Sequence, residues 1–127
     1  MPKLPLPRPT DAELAILRVL WRRGPSTVRH VYEELGEETV YTSVLKLLQI
    51  MTDKGLVTRD DSERTHVYQP RLAEETTQRQ LVKDLLDRAF SGSAKRLVMQ
   101  ALSTQKASAK ELEQIRKLLD KIEGGSE

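Results

Sequence analysis

Between Glu38 and Pro70 the chain runs through an apolar stripe at helical spacing, a glycine stop and two short alternating segments around a polar turn. Few folds take those three features in that order. Val40, Val44, Leu47, Leu48 and Met51 recur at three- and four-residue steps, which places them on the core side of one helix. The opposite side holds Thr39, Thr42, Ser43, Lys46 and Gln49. A lone polar face is ordinarily just solvated. Short hydroxyls, an amide and one ammonium also suit a nucleic-acid groove, because they hydrogen-bond base edges and phosphates without excluding the helix.

The surrounding pattern favours the groove. Upstream, Thr10-Asp11-Ala12-Glu13 has capping-box form and is followed by Leu14, Leu17, Val19, Leu20 and Trp21, predicting a first helix that ends at Gly24-Pro25. Trp21 is expected to plug the junction of the first and second helices. Ser26 is the expected cap of the second, which carries Val28, Val31, Tyr32 and Leu35 and closes at Gly36. The third helix follows after a short turn, so the two form a helix-turn-helix whose second member enters a major groove.

After Lys54-Gly55, the run Leu56 to Arg59 predicts a strand, Asp60-Asp61-Ser62-Glu63 a turn, and Thr65 to Gln69 a return strand stopped by Pro70. This hairpin is the wing of a winged helix. Arg59 and Arg64 flank its tip as candidate phosphate ligands; the alternative is that they balance Asp60, Asp61 and Glu63.

Composition bounds the answer. At 127 residues and 38% hydrophobic, the chain is long enough for one domain or two small folded ones, and too short for a large enzyme. It has no apolar run long enough to span a membrane, and the proline-rich residues 1–9, expected to be flexible, do not read as a signal peptide. With no cysteine, disulfides and thiolate metal sites are ruled out, which fits a cytoplasmic protein. The net charge of +2 identifies no partner: residues 1–70 hold ten Lys or Arg against ten Asp or Glu, and residues 71–127 hold eleven against nine. DNA affinity would therefore rest on local placement of Arg29, Lys46, Arg59 and Arg64, on helix N-termini and on dimerisation.

The second half supplies a means of dimerisation. A helix from Ala73 to Phe90 carries Leu81, Val82, Leu85 and Leu86; Ser91-Gly92-Ser93 breaks it, and a second presents Leu97, Val98, Ala101 and Leu102. A third begins at Ser108, with Glu111 completing a capping box, and ends at Gly124-Gly125; it carries Leu112, Ile115, Leu118, Leu119 and Ile122. Three amphipathic helices in so few residues have too little interior for all these stripes. A second copy of the chain is the simplest cover, although intrachain packing would give the same spacing. The interface residues expected are Leu81, Leu85, Leu97, Leu112, Ile115, Leu119 and Ile122. The resulting fold class is mainly α with a small β-hairpin wing: a winged helix-turn-helix in residues 1–70, then a three-helix dimerisation region in residues 71–127.

The motifs Leu-Arg-Val-Leu-Trp at 17–21, Thr-Val-Arg-His-Val-Tyr at 27–32, Val-Tyr-Thr-Ser-Val at 40–44, Asp-Lys-Gly-Leu-Val at 53–57 and Val-Tyr-Gln-Pro at 67–70 occur together. With Leu85-Leu86-Asp87-Arg88, Phe90-Ser91-Gly92-Ser93 and the last helix, they resemble the BlaI/MecI/CopY family of bacterial winged-helix repressors over nearly all of residues 10–123. That resemblance implies a homodimeric transcriptional repressor on double-stranded DNA, two winged helices reading a palindromic operator. It further implies, for relatives governing β-lactam resistance, a membrane sensor-protease whose signal leads to cleavage of the repressor in its dimerisation region.

Carried over by residue, Thr39, Thr42, Ser43 and Lys46 face the operator, and Tyr41 is placed to reach a thymine methyl or the sugar backbone. Many relatives have an arginine where this chain has Ile50. The cleavage point of the staphylococcal relatives aligns near Ser93 and Ala94, where the Asn-Phe pair of those relatives is missing. Copper sensing through a C-terminal cysteine motif, known in one branch, is excluded by composition. No cofactor is expected. His30 and His66 stand apart without ligand spacing and read as surface or packing residues rather than a metal site. No residues assemble a catalytic constellation, and Glu33-Glu34 and Glu37-Glu38 read as solvated helix ends. Besides the repressor, a winged-helix adaptor that binds protein instead of DNA stays open, supported by the neutral charge of residues 1–70 and by Ile50.

Overall fold

The structure, a computed structural model, describes residues 7–124. Along them lie α1 (Asp11–Arg23), α2 (Val28–Leu35), α3 (Tyr41–Lys54), β1 (Val57–Asp60), β2 (Val67–Pro70), α4 (Glu74–Ala89), α5 (Ala94–Thr104) and α6 (Ala109–Gly124). The predicted mainly α fold with a two-stranded wing is the fold observed. Of the segment expected to be flexible, residues 1–6 lie outside the described residues, as does Gly125 at the expected end of the last helix. Pro9 is buried.

Helix α1 starts where its capping box predicts. The Thr10 hydroxyl accepts from the Glu13 amide at 3.2 Å, and Glu13 Oε1 accepts from the Thr10 amide at 2.8 Å. Glu13 is only 2% exposed, and Lys54 Nζ at the far end of α3 lies 2.6 Å from its Oε1. Burial alone would raise the Glu13 carboxyl, but the Lys54 ammonium and the Thr10 hydrogen bonds outweigh it and hold the carboxyl below the ordinary 4.5.

Helix α2 is capped one residue later than predicted. The Thr27 hydroxyl accepts from the His30 amide at 3.2 Å, and His30 Nδ1 accepts from the Thr27 amide at 3.3 Å. The Ser26 hydroxyl instead donates to the Gly24 carbonyl at 2.8 Å, and the Ser26 backbone is paired into the wing: its N–H donates to the Tyr68 carbonyl at 2.9 Å, and the Tyr68 N–H donates back at 2.8 Å. This bridge fastens the start of α2 to β2. Trp21, expected at the junction of α1 and α2, packs against the core that both helices share, and its indole N–H donates to the Leu72 carbonyl at 3.1 Å, tying α1 to the segment leaving the wing.

Helix α3 begins at Tyr41, and Val40, as its N-cap, stands outside the first turn and is 58% exposed rather than part of the apolar stripe. Val44, Leu48 and Met51 carry that stripe and are fully buried. Gly55 ends the helix at φ 81°, in the left-handed region that favours glycine, with its N–H on the Thr52 carbonyl at 3.2 Å and the Leu56 N–H on Met51 at 2.9 Å. The hairpin pairs Val57 with Pro70 and Asp60 with Val67, so Thr65 and His66, expected in the return strand, belong to the turn region instead.

Two compact units result, one up to Val82 and one from Lys83 onward. The first has a continuous core in which Ile16, Leu20, Val31, Val44, Leu48 and Tyr68 are each at most 1% exposed. In the second, α5 and α6 contain no buried residue, while Met99, Leu118 and Leu119 are 55–60% exposed.

Candidate nucleic-acid interface

The core takes Val44, Leu48 and Met51 from one side of α3 and leaves the largely polar other side to solvent. Thr42, Ser43, Lys46 and Gln49 are all exposed, and Thr39 is half-buried just before the helix. Among the described residues Lys46 has no ion pair, so its ammonium is available to an anion. Ile50 is also on the exposed side, 38% accessible. Hydroxyls of Thr10, Thr27, Ser93 and Ser108 cap α1, α2, α5 and α6, whereas Val40 can supply no side-chain acceptor to the first amides of α3. The Ser43 N–H donates to the Val40 carbonyl at 3.0 Å, and no side-chain cap serves the amides before it, at the positive end of the helix dipole.

Tyr41 has a position that periodicity does not reveal. Its ring meets Tyr32 edge-on, with centroids 5.6 Å apart and planes at 74°, and the Arg29 guanidinium lies 5.6 Å from the Tyr41 centroid. Arg29 Nη1 is 3.9 Å from Glu33 Oε1, one turn along α2. The start of α2 and the start of α3 are thereby joined through an aromatic pair and a cation.

The two wing arginines differ. Arg59 is engaged by Asp61, Nε to Oδ1 at 2.7 Å and Nη2 to Oδ2 at 3.3 Å. The Asp61 carboxylate first, and the Tyr68 side chain after it, hold the Arg59 guanidinium even more firmly protonated than usual. Arg64, by contrast, has no ion pair among the described residues. It shares an open cleft of about 440 Å³ with Thr27, Arg29, Tyr41, Thr65 and His66. His66 Nε2 also lies 3.6 Å from Asp61 Oδ1. Of the eight predicted DNA-contact residues, Arg29, Tyr41 and Arg64 thus meet in one cleft, Thr42, Ser43 and Lys46 share the exposed face of α3, Thr39 precedes that helix and Arg59 is turned to its own wing. No local pattern in the sequence marks the cleft, since its walls come from segments far apart in the chain.

The residues expected at a dimer interface fall in two groups. Leu85, Leu119 and Ile122 are exposed; Leu81, Leu97, Leu112 and Ile115 are half-buried. Ser93 and Ala94 lie at the corner between α4 and α5. Ser91 and Gly92 have φ of 49° and 79°, Ser93 caps α5 by accepting from the Arg96 amide at 3.2 Å, and Ala94 is the first residue of the helix. No helix among the described residues is long and apolar enough to cross a membrane.

Comparison with known proteins gives a consistent picture. The family described as penicillinase repressor matches residues 9–121. The transcriptional regulator BlaI of Mycobacterium tuberculosis is 30% identical over 123 residues, covering 94% of this chain and 88% of the relative. The penicillinase repressor of Bacillus licheniformis is 24% identical over 121 residues, 91% of each chain. Among solved structures, a MarR family protein from Bacillus stearothermophilus is similar in fold over 92% of this chain and 74% of that one, with a TM-score of 0.51 at 19% identity.

Proposed function

This chain belongs to the penicillinase repressor family and is a DNA-binding transcriptional repressor, and we propose that it reads a palindromic operator as a homodimer and leaves it on an upstream signal. The observation that carries the reading is the division of α3: Val44, Leu48 and Met51 fully buried on one side, Thr42, Ser43, Lys46 and Gln49 exposed on the other. A helix held so rigidly from behind presents its polar side chains at fixed spacing, which direct base readout requires. Thr39, Thr42, Ser43 and Lys46 make the groove contacts, and the arginines at the rim hold the backbone.

Dimerisation runs through α4, α5 and α6. Their exposed apolar side chains, Leu85, Leu119 and Ile122 among them, are what a second copy would cover. The protein works in the cytoplasm, catalyses no reaction and responds to a membrane sensor-protease of the kind the family resemblance implies. The α4–α5 corner at Ser93 and Ala94 is the candidate cleavage region, since cutting there interrupts the helices that make the dimer.

The test is a fluorescence-anisotropy titration on the DNA upstream of the protein's own gene and on a scrambled duplex. The wild type is expected to prefer the former by roughly a thousandfold or more. Thr42→Ala with Lys46→Ala removes that preference while sedimentation still shows the dimer. A double variant that binds the operator as tightly as wild type refutes the assignment of α3.

A further inference from the structure

The cleft between the start of α2, the start of α3 and the wing has a composition unlike the unit around it. Residues 1–70 carry equal numbers of acidic and basic side chains, yet the cleft is lined by two arginines, a histidine and two threonines, with no carboxylate among its lining residues. Its polar groups are mainly donors. That is the chemistry of an anion site, and at about 440 Å³ it has room for a stretch of sugar-phosphate rather than a lone ion.

We propose that this cleft takes one backbone phosphodiester of the bound duplex, with Arg29 from α2 and Arg64 from the wing as its two ligands and Tyr41 as the positioning residue for Arg29. The inference rests on the DNA-binding reading above and sharpens it in two ways. Arg59, the other wing arginine, is not a ligand, because Asp61 already grips it through both oxygens, and exchanging that carboxylate for a phosphate would gain little. Tyr41 is not a base reader: its ring is edge-on to Tyr32 and under the Arg29 guanidinium, so it steers a cation toward the cleft. A backbone site of this kind carries no sequence information and sets the register in which α3 meets the bases.

The experiment is anisotropy titration of the full chain on the operator and on the scrambled duplex across a range of salt, for wild type, Arg64→Ala, Arg64→Lys, Arg29→Ala, Arg59→Ala, Tyr41→Phe and Tyr41→Leu, with thermal melts to confirm folding. Arg64→Ala is expected to weaken both duplexes by the same factor, about tenfold, and to flatten the slope of log K against log salt, while Arg29→Ala with Arg64→Ala, which empties the cleft in both protomers of the dimer, flattens it by about 1.8, the contribution of two phosphates. Arg64→Lys keeps the slope, and Arg59→Ala shifts affinity by less than about twofold. Combining Arg29→Ala with Arg64→Ala gives less than the product of the single losses, because both act on one phosphate. Tyr41→Phe, which keeps the ring, binds as wild type, while Tyr41→Leu reproduces the loss of Arg29→Ala. The proposal is overturned if Arg59→Ala weakens binding as much as Arg64→Ala, if the Arg64→Ala loss is confined to the operator or leaves the slope unchanged, or if Tyr41→Phe is as damaging as Tyr41→Leu. A wild type that fails to distinguish operator from scrambled duplex would sink the repressor reading alone, for the phosphate site would still be measured on the scrambled duplex.

Discussion

Helices α1 and α6 open with the same local device and come to opposite ends. Thr10 with Glu13 and Ser108 with Glu111 are both capping boxes of ordinary length, and both helices carry an apolar stripe at helical spacing. In α1 the stripe disappears into a core, with Ile16, Leu17 and Leu20 at most 1% exposed, and Glu13 is buried against Lys54. In α6 nothing is buried, and Leu118 and Leu119 remain more than half exposed. Local sequence makes a helix in both cases; only the surrounding residues decide whether its stripe has somewhere to go. The first unit is complete as a single chain. The second has the apolar surface of a core without its inside, which is why a partner copy is proposed for it.

The contrast is most strongly broken by removing the apolar surface of α6. Ile115→Asp with Leu119→Asp should give monomers in sedimentation and lower operator affinity by roughly a hundredfold or more, the usual scale of lost bivalence, with the melting of the first unit unchanged. A dimer that survives moves the interface elsewhere. Next in size is Leu48→Ala, which opens a cavity beneath α3 and should cost about 2–5 kcal/mol in denaturant unfolding. Its counterpart Leu118→Ala, measured below the dimer's dissociation constant, should change stability by no more than about 0.5 kcal/mol.

The buried Glu13–Lys54 pair is a second feature of the first unit that α5 and α6 lack. Lys54→Met leaves a buried carboxylate without its cation and should destabilise by about 3 kcal/mol or somewhat less, because Lys54 itself keeps about a third of its side chain exposed. The pair also predicts an acid limb. The Glu13 carboxyl titrates below its unfolded value of 4.5, so its stabilisation is present above that pH and is lost as the pH falls through the lower folded value. Glu13→Gln should flatten stability against pH in that window; an unchanged profile would show that another carboxylate governs acid unfolding. Smallest is Thr10→Ala, expected to cost about 1 kcal/mol through the lost cap of α1.

What was legible in the sequence follows the range of the interactions involved. The caps of α1 and α6 and the glycine stop of α3 are set within a few residues, and motif spacing places them; the wing turn differs, with Asp60 taken into β1 and the turn running on to His66. The polar face of α3 was legible for the same reason. A serine after Gly24-Pro25 satisfies the local rule for a cap, but its hydroxyl donates to Gly24 and the distant strand at Tyr68 takes its backbone, so Thr27 caps instead. Lys54 with Glu13, Trp21 with Leu72, and Arg64 in a cleft with Arg29 join positions that no periodicity connects. The engagement of Arg59 by Asp61 joins residues two apart at an acidic turn and so is open to sequence; side-chain geometry separates Arg59 from Arg64.

The first unit has a continuous core of its own, and we propose that α5 and α6 depend on a second copy. Hydrogen exchange of the full chain over a wide range of protein concentration tests it most directly, because exchange reports opening element by element. Protection of Ala94–Thr104 and Ala109–Gly124 should rise with concentration, while protection in Asp11–Arg23 and Tyr41–Lys54 stays constant. Protection in α5 and α6 that equals that of α1 and α3 and does not vary down to the most dilute sample would contradict the account.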